Sequence, residues 1–394
     1  MRITKMRSLK VLLFTGVGVM GVVSVASVSV ADSPSTPTFH ATQILKGTSL
    51  QHSYTPAGSS TSKTEALSKS DDITQLGNDL VVGFQNGVGP QGDASTDGNL
   101  NSTIVELSQN GDVLGQWDVV GKVDGLTADP ALGGVLATVN EDGNSSIYLI
   151  RPSDGANAVT HYNYSAPLAH NGGTDALSIY DGQILTSASA PGTTGAPAPS
   201  ASYPAVYSVQ LNPATKTAVA TPFFYDEDTA TVANSSGKHD GDAKATQLAL
   251  TDPDSTSVVP SSASRFAGDF MLTSQGDQQQ IFVDHANSTH PRLTVLNLTQ
   301  AVDDTAWPTH RSGKLFSTDS TNDAVVVVTG SFESGQPVVV ATPCGANTAP
   351  TTCPASPTNY LATLNQKSGK VTPVKVDGSS YVPQGGLTFV AGNN

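Results

Sequence analysis

The sequence is short of charge. Only 13% of its 394 residues are Asp, Glu, Lys or Arg, about half the share of an average soluble domain. Glutamate is the scarcest of them, five residues against 28 aspartates, and 19 lysines and arginines leave a formal charge of −14. Glu, Lys and Arg suit exposed helices, while Asp and Asn compete with the helical backbone and settle in turns. The balance argues against a helical protein, and its sign argues against non-specific binding to nucleic acid or anionic membranes. Two tryptophans, Trp117 and Trp307, stand apart and form no aromatic platform for polysaccharide, so both are read as core residues. The chain also lacks a G-x-S-x-G elbow, an H-E-x-x-H pair, a C-x-x-C-H haem site and a phosphate-cradling P-loop.

The one long apolar run is at the start. Arg2, Lys5, Arg7 and Lys10 precede an apolar stretch from Val11 to Val30, and Ser29-Val30-Ala31 places small residues at a cleavage site. Residues 1–31 are therefore expected to be a secretory signal peptide, with an uncleaved N-terminal membrane anchor as the alternative. The expectation that follows is a secreted protein with no membrane attachment after cleavage. In an oxidising exterior, Cys344 and Cys353 in TPCGANTAPTTCP are expected to form a local disulfide.

Residues 32–70 are rich in Ser, Thr and Pro and read as an arm or linker, with a short strand around Thr42 to Leu45. From residue 71 to 394 the sequence repeats. DDITQLGNDLVVGF begins at Asp71, DGLTADPALGGVLATV at Asp124, DALSIYDGQILTSAS at Asp175 and DDTAWPTHRSGKLFST at Asp303. A variant, QLALTDPDSTSVV, begins at Gln247, and a last copy, GGLTFV, begins at Gly385. Each unit is a polar entry residue, a short apolar strand, a turn and a second strand, followed by a hairpin such as TIVELSQNGDVLGQW from Thr103. Four short strands recurring at about fifty residues match a β-propeller blade. The expected fold is all-β: a β-propeller of six blades with four antiparallel strands each, with seven as the alternative count. Its ring is expected to close where the terminal strand meets N-terminal segments.

KVDGLTADP, ATVNEDGNSSIYLI, GGTDALSIYDGQIL and GGLTFV carry a resemblance to the six-bladed propellers that include NHL-type, TolB-like and SMP-30/gluconolactonase-like proteins. More narrowly, the chain resembles secreted bacterial propellers that have no assigned activity. The SMP-30-like resemblance implies a divalent metal held by a Glu near the chain start and by Asn and Asp from other blades. Asn140 and Asp142 are the most similar pair here, while Glu65 lies in the polar arm.

In a propeller, the first strand of each blade lines the central channel. Asp71, Asp124, Asp175, Gln247 and Asp303 would then ring one channel mouth, where oxygen ligands suit Ca2+ or another divalent cation. The competing structural role is local: each Asp would accept backbone N–H groups at its own turn and fix a blade junction. Asp71, Asp124, Asp175, Asp303, Asn140 and Asp142 are thus the candidate metal ligands. His239-Asp240-Gly241-Asp242 and His170 read as loop and surface residues. Two functions follow: a monomeric binding or scaffold module for a small molecule or cell-surface partner, or a metal-dependent lactonase-type hydrolase working at the channel mouth. Low charge density also suits an acidic exterior, because few groups then repel one another as carboxylates protonate.

Overall fold

A computed structural model describes residues 38–191, 202–233, 244–284, 291–345, 358–383 and 385–392. The expected signal peptide, Cys353 (and with it the Cys344–Cys353 pairing) and the stretch His239 to Asp242 lie outside the described residues. Described helix is confined to short 3-10 turns at Gly47–Ser49, Pro152–Asn157 and Ala169–Asn171. Among the described residues no helix is long and apolar enough to cross a membrane.

Everything else regular is strand. β1 (His40–Lys46) leads into a hairpin of β2 (Gln51–Tyr54) and β3 (Lys63–Ala66). A four-stranded antiparallel meander follows: β4 (Ser70–Leu76), β5 (Asp79–Phe84), β6 (Asn101–Leu107) and β7 (Val113–Val120). The next is β8 (Val123–Asp129), β9 (Gly134–Val139), β10 (Ser146–Ile150) and β11 (Val159–Tyr164). A third comprises β12 (Thr174–Tyr180), β13 (Gln183–Ala188), β14 (Pro204–Asn212) and β15 (Thr217–Tyr225). Its first turn is Asp181-Gly182, with φ of 47° and 80°, the left-handed pair that a two-residue type I′ hairpin requires. β11 and β15 pair in parallel, so these two meanders form one sheet of eight strands.

β16 (Thr229–Val232) and β17 (Ala245–Gln247) then cross to the outer edge of the next meander, where β16 lies parallel to β21. That meander is β18 (Pro253–Val258), β19 (Phe270–Ser274), β20 (Gln279–Asp284) and β21 (Arg292–Asn297). The last strands are β22 (Val302–Ala306), β23 (Gly313–Asp319), β24 (Ala324–Thr329), β25 (Val338–Ala341), β26 (Tyr360–Leu364) and β27 (Val371–Pro373). After a small hairpin, β28 (Lys375–Val376) with β29 (Ser379–Ser380), comes β30 (Leu387–Ala391).

Three sequence expectations need correction. The unit beginning at Asp303 is divided between sheets: β22 heads the order β22-β25-β26-β27, while β23 and β24 belong to β1-β24-β23-β30. The link from Trp307 to Ser312 is longer than a tight hairpin turn and carries Pro308, so it suits a passage between sheets. Gln247 is not an entry residue; it is exposed at the end of β17, and β18 supplies Asp254 at the corresponding place. Residues 40–66 hold three strands rather than an arm. β1 is polar because it is the outermost strand of its sheet, with only Leu45 buried, and β24 supplies its ladder.

The first strands pack in a closed series: β4 on β8, β8 on β12, β12 on β18, β18 on β22, β22 on β30, and β30 on β4. This is the arrangement of a β-propeller. The apolar core lies between neighbouring sheets. Leu185, Val206 and Phe224 meet Phe270, Leu272 and Ile281 in one such layer, and Leu80 and Phe84 meet Phe316 and Val325 in another. A sheet covered on both sides buries both of its faces, so Ala324–Val328 is apolar without alternation and buried throughout. Truncating a buried Phe such as Phe270 to Ala would cost about 3–5 kcal/mol. With the apolar side chains committed between sheets, the centre is left to the start of each first strand.

Candidate functional site

Five of those six starts carry an aspartate and, beside it, a slip in the ladder. Ser70 pairs with Phe84 but Ile73 with Val82, and the same extra residue appears between Val123 and Leu126, Thr174 and Leu177, Pro253 and Ser255, and Val302 and Thr305. A β-bulge of this kind bends the strand and re-aims a side chain. Here it brings Asp71, Asp124, Asp175, Asp254 and Asp303 onto the wall of one cavity of about 510 Å3. The remaining first strand presents Gly385, where a Cβ would lie 2.3 Å from Thr318 Oγ1 and 2.6 Å from the Asp71 carbonyl. No side chain fits at that position.

The residue after three of these aspartates ties neighbouring sheets together. Asp72 Oδ2 accepts the Leu126 N–H at 2.5 Å and Asp304 Oδ2 accepts the Leu387 N–H at 2.5 Å, each across a sheet boundary. Ser255 Oγ donates to the Asp303 carbonyl at 2.6 Å. Gly125 has no room for more, since a Cβ there would sit 2.5 Å from the Asp175 carbonyl.

The cavity wall is strongly acidic. Among the described residues it carries eight carboxyls, namely Asp71, Asp72, Asp124, Glu141, Asp175, Asp254, Asp303 and Asp304, against one cation, Lys122. Lys122 Nζ lies 2.7 Å from Asp124 Oδ1 and also bonds Glu141. Gln85 Nε2 donates to the same Asp124 oxygen at 3.2 Å. Asp124 is 4% exposed, and its buried Oδ2 has no hydrogen-bond partner. On another part of the wall, burial and the neighbouring Asp303 hold the Asp254 carboxyl well above the ordinary range, and contact with Asp303 favours a proton on Asp254.

Burial is the largest cause of the titration behaviour, and neighbouring carboxylates reinforce it. It holds Asp71, Asp72, Asp175 and Asp254 well above the ordinary carboxyl range, with Asp124, Asp304, Glu141 and Asp303 respectively adding repulsion. Asp124 and Asp304 are each pushed up to about 7. Burial works against the Lys122 ammonium, but the charges of Asp124 and Glu141 outweigh it and hold the proton on.

Of the residues singled out in the sequence, Asp71, Asp124, Asp175 and Asp303 come together on this wall. Asn140 and Asp142 do not join them. Asn140 Oδ1 accepts the Lys122 N–H at 2.9 Å and its amide reaches the Asn144 carbonyl at 3.2 Å, so it clamps its own loop. Asp142 is exposed. Among the described residues, no three His, Cys, Asp or Glu side chains are grouped to hold a metal ion. His170 sits edge-on to Tyr203, off the wall. Trp307 is a core residue that also lines the cavity and donates Nε1–H to Ser257 Oγ at 2.9 Å. Sequence reasoning missed Asp254, Lys122 and Glu141. The signal for Asp254 is Asp254-Ser255-Thr256, an aspartate with Thr two residues on, the spacing of Asp303-Asp304-Thr305.

No protein-family model matches the sequence, and no curated protein matches it. Similar solved structures include virginiamycin B lyase from Staphylococcus aureus, at 9% identity over 83% of this chain and 74% of that one, with a TM-score of 0.38. A protein of unknown function from Bacteroides thetaiotaomicron VPI-5482 is similar at 9% identity over 90% and 71%, with a TM-score of 0.44. Luciferin-regenerating enzyme is similar at 11% identity over 72% and 87%, with a TM-score of 0.34. Their functions differ, and likeness at this level passes no activity to this chain.

Proposed function

We propose that the chain is a secreted six-bladed propeller that serves as a binding module, taking a small ligand at the acidic mouth of its axial channel. The closed series of first strands supports six blades, and the sharing of one sheet by β1 and β30 supports closure by the two ends of the described chain. One observation carries the binding reading: bulges at corresponding places on five strands turn aspartates onto a single cavity of about 510 Å3. That volume lies within the usual range of about 300–1,000 Å3 for small-molecule sites. Asp72 and Asp304 tie sheet junctions, but structure alone gives little reason to collect the other six carboxyls there, because each costs free energy to bury.

A second reading is a metal-dependent lactonase-type hydrolase using Ca2+ or another divalent cation at the same mouth. The partnerless oxygen of Asp124 favours it, since a hard cation seeks such oxygens. The test is a thermal-shift screen of charged, neutral and lactone compounds on the wild-type protein and on Asp124→Asn, with lactone hydrolysis followed in parallel. Ligand shifts lost in the variant, without hydrolysis, support binding. Hydrolysis that chelators abolish supports the second reading, and shifts of equal size in both proteins overturn the channel as the site.

A further inference from the structure

We propose that the ligand of this channel is an organic oligocation, a linear oligoamine whose ammonium groups are separated by methylenes. This rests on the binding reading above and specifies its ligand class. Lys122 already shows how the wall accommodates an ammonium: one Nζ, 2.7 Å from Asp124 Oδ1, also serves Glu141. Asp254, Asp303 and Asp304 have no lysine or arginine beside them on the cavity wall. With no cation between them, the repulsion of Asp303 and burial favour a proton on Asp254. An incoming ammonium would replace that proton, donate to both side chains and send the proton to solvent.

The spread of the charges selects the kind of cation. A calcium ion gathers six to eight oxygens at about 2.3–2.6 Å. Here the carboxyls sit on separate strands around the cavity, and among the described residues no three are grouped to hold one metal. Several charges spaced along one flexible ligand match a ring of single carboxyls better than one point charge does. Leu126, Leu177, Trp307 and Phe389 line the same cavity and offer methylene spacers some apolar contact. Asp124, itself 4% exposed, keeps one oxygen, Oδ2, buried with no hydrogen-bond partner.

The experiment is calorimetric titration of the protein with spermidine, butylamine and Ca2+ at matched ionic strength, at pH 5 and pH 8. Spermidine should bind at least tenfold more tightly than butylamine or Ca2+, more tightly at pH 8 than at pH 5, and with proton release. Asp254→Asn and Asp303→Asn should each weaken spermidine at least tenfold, whereas Asp112→Asn, on an exposed turn, should not. Melting curves identify any variant that fails to fold, and Asp175→Asn then replaces it. Equal weakening by Asp112→Asn would mean diffuse attraction to an acidic surface and would overturn the proposal. So would Ca2+ binding more tightly than spermidine, although the channel would stand as a site if Asp254→Asn abolished that binding. If neither cation binds but a neutral or anionic compound is lost with Asp124→Asn, only the ligand class fails. If no ligand depends on these aspartates, the binding reading fails as well.

Discussion

Asp304 reaches out of its own strand to accept the N–H of Leu387, the first residue of β30, at 2.5 Å. Asp72 does the same for Leu126 at 2.5 Å. In both cases the other carboxyl oxygen takes the N–H of the next residue in its own strand, Thr305 or Ile73, at 2.6 Å. One side chain thus satisfies a backbone donor that the bulge leaves unpaired and a second donor in the neighbouring sheet. Removing it strands two N–H groups in a poorly hydrated place.

Asp304→Ala is therefore expected to destabilise the fold by about 2–4 kcal/mol, from two donors at roughly 1–2 kcal/mol each. Asp304→Asn, which keeps one acceptor, should lose less. Urea unfolding of the two variants measures the difference. Equal losses would show that only the volume of the side chain matters.

The carboxyls also predict the direction of pH dependence. Their folded values are raised, with Asp252 pushed to about 6 and Asp124 and Asp304 to about 7. A carboxyl that binds its proton more tightly when folded stabilises the fold fully below its unfolded value near 4, and that contribution is lost as pH rises through the folded value. Stability should thus decline between about pH 5 and pH 8, with a fall in Tm of about 5 °C or more. A Tm that climbs steadily over that interval would contradict the assignment. The same sign accords with the low charge density read from the sequence as suited to an acidic exterior.

Part of this site is readable from residue patterns alone. Asp71, Asp124, Asp175 and Asp303 stand out because one residue type returns before one strand pattern, and a radial fold turns equivalent positions toward one axis. The choice between a channel role and a turn role was posed for a single residue, but adjacent residues divide the two. Asp72 and Asp304 do the junction work, while Asp71 and Asp303 face the cavity. Asp254 escapes notice because the insert before it pulls the alignment back to Gln247, and a β-bulge leaves no residue signature of its own. The placement of β23 escapes too. Local pattern links it to β22, and only the long-range ladder to β30 decides otherwise. Lys122 and Glu141 are ordinary polar residues in sequence, and their meaning comes from meeting at Asp124.

Lys122→Met tests that meeting. Its side chain is 16% exposed, and removing one member of a buried ion pair typically costs about 3–5 kcal/mol because a charge is left without a partner. The loss should approach about 3 kcal/mol at pH 8 and shrink at pH 5, where Asp124, with its value near 7, is already mostly protonated. Denaturant unfolding at the two pH values separates this from a packing defect, which would cost the same at both.

His52 supplies the last prediction, away from the channel. It projects from β2, with a side chain 1% exposed between Glu65 of β3, 3.1 Å from Nε2, and Asp118 of β7, 3.2 Å from Nδ1. Asn99 donates to Glu65 at 2.8 Å and Thr103 donates to Asp118 at 2.7 Å, so both carboxylates are held in place. Burial disfavours the charged ring, but the nearby Asp118 and Glu65, the latter hydrogen-bonded to Nε2, outweigh it and raise the value. The imidazolium therefore pins the β2–β3 hairpin to the outer strand β7, helped by the Gln116 amide, which donates to the Gln51 carbonyl at 3.0 Å. A raised histidine contributes stability fully below its unfolded value of about 6.5 and loses it as pH rises through the folded value. His52→Gln should remove about 1.5–3 kcal/mol of that attachment at pH 6 and much less at pH 9. Protease cleavage within the Pro56 to Thr61 turn reads the change directly. Wild-type protein should be cut faster at pH 9 than at pH 6, and the variant at a similar, higher rate at both. Cleavage of the wild type that does not respond to pH would rule out His52 as the latch.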